Sequence, residues 1–141
     1  MTNLNLTKPL PAEHSAFFNR YISIVPDENI LVLLKNQLSD SLKFFERIDE
    51  DKSCYCYADG KWTIKEILGH LADTEQILLY RALRIARNDK TPLPGFNENA
   101  FVDNAFFNKM SFTSLIEYFI LTRKMTLGFL RTVDNEAWTR I

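Results

Sequence analysis

His70, Cys54, Cys56, Asp73 and Glu75 are the residues of this 141-residue chain whose types and spacing raise the question of chemistry. An imidazole can act near neutral pH as general acid, general base or metal ligand, and the chain has only one other, His14. Asp73 and Glu75 are two apart in a helix-forming run, so they point to different faces and do not make a carboxylate dyad for acid–base work. Cys54 and Cys56 form a lone C-x-C. A disulfide across one residue would be strained and a structural zinc site wants four ligands, so the pair reads as two reduced thiols. No GxSxG, Walker loop, HExxH or CxxC occurs. From pattern alone His70 reads as a satisfied structural histidine, and His14 as a packing or hydrogen-bonding one.

The element that must carry His70 is the run Gly60 to Arg87, GKWTIKEILGHLADTEQILLYRALRIAR. Thr63 and Glu66 have the spacing of a capping box, and Trp62 and Ile67 that of a hydrophobic staple, so a helix is expected from Thr63 to about Asn88. At about 100° per residue, Ile64, Ile67, Leu68, Leu71, Leu78, Leu79, Ala82, Ile85 and Ala86 fall on one arc, wide enough to touch two neighbours in a bundle. Glu75 lies near the middle of that arc, where a carboxylate needs a partner, and the partner has to come from another helix. His70, Thr74, Ile77 and Arg81 form a stripe along one edge, where a bundle can build a pocket between helices.

The other elements follow from the same periodicity. Residues 1–12 read as a polar arm with Pro9 and Pro11, and 13–24 as a short packed helix with Phe17, Phe18, Tyr21 and Ile22 on one side. Asp27 is the expected N-cap of a first long helix that runs to about Ile48 on Leu31, Leu34, Leu38, Leu42 and Phe45. Residues 49–52 end it, and 53–62 form a loop whose Tyr55, Tyr57 and Trp62 are expected to cover the end of the core. Pro92, Pro94 and Gly95 make 88–102 a long loop, held down by Leu93, Phe96 and Phe101. A third long helix is expected from about Ser111 to about Val133, on Leu115, Phe119, Met125, Phe129 and Leu130. The expected architecture is all-α and a single domain over 1–141, of which 1–26 are the arm and short helix.

Composition narrows the class. Hydrophobic residues make up 46% of the chain and there are eleven Phe, enough for a real core. Net charge is −1 with a pI near 6.1, which leaves no electrostatic footprint for nucleic acid. The longest strongly apolar run, Ile30 to Leu34, is far short of a membrane span, and the N-terminus has no apolar signal region, so a cytoplasmic protein is expected.

GKWTIKEILGHLADTE, then YRALRIARNDKTPLPGF and later LTRKMTLGFLRTVDNEAW, resembles the DinB/YfiT-like superfamily in consistent order from about Glu13 to Trp138. GKW-[ST]-x-KE-x-x-GHL-x-D-x-E is the most specific part. The resemblance implies an up-and-down four-helix bundle with a divalent metal (Zn, Ni, Mn or Fe) held by three histidines. One of these comes from the GHL motif, which His70 matches, and two come from an H-x-x-x-H on the fourth helix. It also implies an activity class. Characterised relatives join low-molecular-weight thiols such as bacillithiol, mycothiol or glutathione to electrophiles or act as mycothiol-dependent isomerases, and others are described as metal-dependent hydrolases. The expected partners are therefore a small thiol and an electrophile, with no nucleic acid and no membrane. An open metal site would lower the pKa of bound thiol or water and so make the nucleophile for either reaction.

The chain departs from that pattern after Trp138. No histidine follows His70, so two of the three implied ligands have no counterpart in 1–141, and metal binding by this chain alone is expected to be weak or absent. The fourth helix is expected either to belong to a longer parent polypeptide or to be lost in a shortened member. Leaving its place uncovered would expose on the order of 500 Å², worth about 12 kcal/mol, comparable to the whole stability of a domain at about 5–15 kcal/mol. That cost favours the longer parent polypeptide; a three-helix remnant would need a partner surface, for example a second copy in a homodimer, to cover the gap. The competing functional expectation is a degenerate, non-catalytic bundle that acts through oligomerisation or protein interaction.

Overall fold

The structure is a computed structural model, in which residues 8–140 are described. They form α1 (Asn19–Ile22), α2 (Ile30–Phe45), α3 (Glu50–Ser53), α4 (Ile64–Ala86), α5 (Glu98–Ala105) and α6 (Phe112–Leu130), joined by turns and short 3-10 segments, with no strand among the described residues. No helix among them is long and apolar enough to cross a membrane.

The longest helix, α4, starts as its residues dictate. The Thr63 hydroxyl accepts from the Glu66 amide at 3.1 Å, and the Glu66 carboxylate accepts from the Thr63 amide at 2.7 Å. Asn108 clamps the box from outside, accepting from the Thr63 hydroxyl at 2.7 Å and donating to Glu66 at 2.9 Å. At the other end Asn88 takes a left-handed φ of 59°, which asparagine tolerates, and its amide closes on the Ile85 carbonyl at 2.9 Å. Arg140 donates to the Ala86 carbonyl in the last turn at 2.6 Å.

Helix α6 packs along α4 and also on α2, while α2 and α4 scarcely meet. The core lies where the three converge: Phe45, Leu68, Ala72, Val102, Phe107, Phe112, Leu115 and Phe119 are buried together. Phe45 sets its ring edge-on to Phe112 and Phe119, each at 6.0 Å, the geometry favoured by aromatic quadrupoles. The buried Lys65 ties the lower end, donating to the Glu50 carboxylate and, at 2.8 Å, to the Met110 carbonyl. Glu50 in turn accepts from the Phe112 amide at 2.8 Å, which seats the start of α6.

Several expected boundaries are corrected. Asn29, not Asp27, caps the first long helix, accepting from the Leu31 and Val32 amides, and that helix stops at Phe45 rather than near Ile48. Residues 49–52 do not simply break it. Asp49 accepts from the Lys52 amide at 2.8 Å and nucleates α3, so a side chain suited to end one helix starts the next. The expected loop at 88–102 ends early because Asn97 caps α5, accepting from the Ala100 amide at 3.0 Å. Helix α6 stops at Leu130, short of Val133. The expected packed helix at 13–24 is only α1 and a preceding 3-10 turn, with Phe17, Phe18 and Tyr21 exposed. Tyr55 and Tyr57 are likewise exposed; of the three expected lids only Trp62 packs on the core. Residues 1–7 of the expected arm lie outside the described residues.

Candidate functional site

His70 sits on α4 half-buried, with its Nδ1 3.5 Å from the Thr74 hydroxyl one turn on. Its ring lies against Trp62, centroid to centroid 4.8 Å, so the residue before the cap serves as a platform for the imidazole. Trp62 and Ile67 share the wall of a shallow pocket of about 290 Å³ with Tyr57, Gly60, Lys61 and Asn99. The residue preceding His70 explains how α4 is held in place. A Cβ on Gly69 would come within 2.5 Å of three atoms of the buried Phe107 ring, so only glycine lets that ring lie flat on the helix.

The wide apolar arc of α4 is only half covered. Leu68, Ala72 and Leu79 are buried, whereas Ile67, Leu71 and Leu78 are 41%, 46% and 53% exposed. These last three share one stripe by helical spacing, directly beside the stripe of His70 and Thr74. The outward side of α2 carries a matching groove of about 660 Å³, lined by Ile30, Leu33, Leu34 and Phe44 with Ile24 and Val25 at one end.

A buried ion pair joins the three long helices. Arg123 of α6 donates through Nε to the Glu75 carboxylate of α4 at 2.7 and 3.0 Å, and the two side chains are 8% and 14% exposed. Its Nη1 donates to the Leu34 carbonyl at 3.0 Å and the Gln37 side chain at 2.8 Å, both on α2. Glu75 thus has its expected partner on another helix. Arg123 was legible only indirectly: a carboxylate on a buried arc demands a cation, and Arg123 stands among the apolar positions of α6.

Asp73, on a different face, meets Tyr118, whose hydroxyl donates to it at 2.7 Å while Gln76 donates to the same oxygen. Burial first, and the Asp73 carboxylate second, push the Tyr118 phenol well above its ordinary range. Because the folded state holds this proton more tightly, the stabilisation is complete below the unfolded tyrosine pKa of about 10 and declines as pH rises past it. Tyr118→Phe is expected to lower stability by about 1 kcal/mol at pH 7. The gap to the unsubstituted chain should narrow above that pH. Urea unfolding between pH 7 and 11 checks this, and a gap independent of pH would contradict it.

The model of the DinB superfamily matches residues 33–141. The chain belongs to the DinB superfamily. No curated protein and no solved structure matches it. The DinB assignment and the all-helical architecture agree, and the match includes α4, α6 and all but the first turn of α2.

A DinB metal would need more than His70. Among the described residues no group of three His, Cys, Asp or Glu side chains is placed to hold an ion. His14 lies on the N-terminal arm with its Nδ1 3.0 Å from the Ser15 carbonyl, and Cys54 and Cys56 are both unpaired thiols. One imidazole flanked by a hydroxyl and an indole does not fit a metal centre, so no catalytic step is derived through an ion.

Proposed function

We propose that this chain is a DinB scaffold whose activity, in the class of metal-dependent thiol transfer or the related hydrolysis, belongs to an assembled bundle rather than to one three-helix unit. His70 is the imidazole it contributes, and the remaining donors lie outside the described residues. The observation that carries this reading is the position of His70 beside the uncovered stripe Ile67, Leu71 and Leu78. An apolar element laid on that stripe would sit next to the imidazole, exclude water from it and bring its own side chains within reach. A small thiol and an electrophilic or hydrolysable compound are the substrates this class implies.

The second reading, a non-catalytic bundle acting through association, is favoured by the same exposed stripe together with the incomplete donor set. Metal analysis of the purified chain and of His70→Ala, run beside solution mass, separates the two. The catalytic reading expects a divalent ion that travels with the assembled species and falls at least tenfold in His70→Ala. A metal-free oligomer supports the association reading, and a folded, metal-free monomer overturns both.

A further inference from the structure

The loop 57–62 and the first turn of α5 bring three polar side chains without partners to one place. Tyr57, Lys61 and Asn99 line the same pocket of about 290 Å³ as Trp62 and Ile67, and among the described residues none of the three side chains makes a hydrogen bond or ion pair. The loop is shaped for this. The Lys61 amide closes a turn on the Ala58 carbonyl at 3.2 Å, and Gly60, third in that turn, takes a φ of 71°, which glycine supplies without strain. A Cβ on Gly60 would meet nothing within 4 Å, so the glycine serves the path of the backbone and not the space around it. The turn gathers Tyr57, 69% exposed, and the Lys61 ammonium around the same hollow as Trp62. No carboxylate is among the described residues that line it; Asp59 and Glu98 are only chain neighbours of lining residues.

We propose that this pocket binds a small aromatic carboxylic acid, its ring against Tyr57, Trp62 and Ile67 and its carboxylate on Lys61 and Asn99. Each part of the ligand answers a part of the wall. Aromatic and aliphatic side chains take a planar ring. One ammonium and one amide N–H supply the charge and the directed donor that a single carboxylate needs. The size agrees as well. Ligand pockets run from about 300 to 1,000 Å³, so a hollow at the bottom of that range holds one ring with short substituents and not a nucleotide. Trp62 also carries the His70 ring, 4.8 Å away between centroids, and Ile67 lies one turn before His70 on α4. The occupant therefore lies beside the imidazole, with the indole common to both. As the substrate class of the catalytic site the acid rests on the catalytic reading above; as a bound molecule it needs neither the metal nor an assembly.

The chain has two tryptophans, Trp62 and Trp138, so the two indole N–H resonances of the isotope-labelled full chain report the pocket and an internal control, assigned with Trp138→Phe. Benzoate is expected to shift the Trp62 resonance to saturation, with a Kd on the order of 1 mM, and to leave Trp138 where it is. Benzamide, the same shape without the charge, and acetate, the charge without the ring, are expected to bind about fivefold more weakly or worse. Lys61→Gln, at an exposed position, is expected to weaken benzoate by about fivefold, the upper range for an exposed ion pair, and to leave benzamide unchanged. Tyr57→Ser is expected to weaken both. No saturable shift of Trp62, equal affinity for benzoate and benzamide, or either variant binding benzoate as before would each overturn the proposal. A metal-free chain that binds benzoate in this way would leave the pocket standing while the catalytic reading falls.

Discussion

Arg123→Ala is expected to remove about 3–5 kcal/mol of stability, the usual loss when one member of a buried pair is deleted. Set against a whole-domain stability of about 5–15 kcal/mol, that is a large share of the total. The Glu75 carboxylate would keep its buried position, 14% exposed, and lose both of its contacts with the guanidinium. On the other side the Gln37 side chain and the Leu34 carbonyl would lose their donor, though the carbonyl lies within α2 and Gln37 reaches solvent, so most of the loss falls on Glu75. Pairing the change with Glu75→Leu, as Arg123→Met/Glu75→Leu, is expected to recover most of the stability, because an apolar pair of similar volume carries no desolvation penalty. Urea unfolding of the three chains decides the matter. An alanine variant within about 1 kcal/mol of the unsubstituted chain would show that water reaches the pair and that it contributes as little as a surface ion pair.

Gly69→Ala should also destabilise, by about 1–3 kcal/mol, against the ordinary direction of the change. In an open helix the substitution would gain about 1 kcal/mol from backbone propensity. Here the new methyl would have to displace three atoms of the Phe107 ring from 2.5 Å, and that ring is 4% exposed in the same core as Leu68 and Phe112. Overpacking therefore wins over propensity. Gly69→Ala/Phe107→Leu, which shortens the obstructing side chain, is expected to be more stable than Gly69→Ala alone, and thermal unfolding of the pair checks it. A Gly69→Ala chain more stable than the original would mean that Phe107 can swing aside freely. The next residue is His70, so the same close approach that fixes α4 also fixes the base of the imidazole.

What the sequence made legible follows from which signals are local. Thr63 and Glu66 define the start of α4 by chemistry contained within four residues, and the structure has that capping box. The need of Glu75 for a cation from another helix was equally readable, because burial of a carboxylate has one inexpensive remedy. Which cation it would be was not, since nothing near Glu75 in the chain points to Arg123, 48 positions away. Helices α3 and α5 were missed because their caps, Asp49 and Asn97, sit in polar stretches where the same residue types also make loops. The division of the α4 arc into a buried half and an exposed half was invisible too. Periodicity says which residues could face a neighbour and not whether one is there, and Leu71 and Leu78 carry the same signal as Leu68 and Leu79. His70 could be placed on the edge of that arc; the indole of Trp62 as its platform depends on a turn through Gly60, whose φ is 71°.

The guanidinium of Arg123 also bears on how the bundle assembles. Its Nε is satisfied by α4 and its Nη1 by α2, so only the docking of all three helices fills both sets of donors with protein groups. One side chain thus couples the docking of three helices, through partners 86 and 48 residues away from it along the chain.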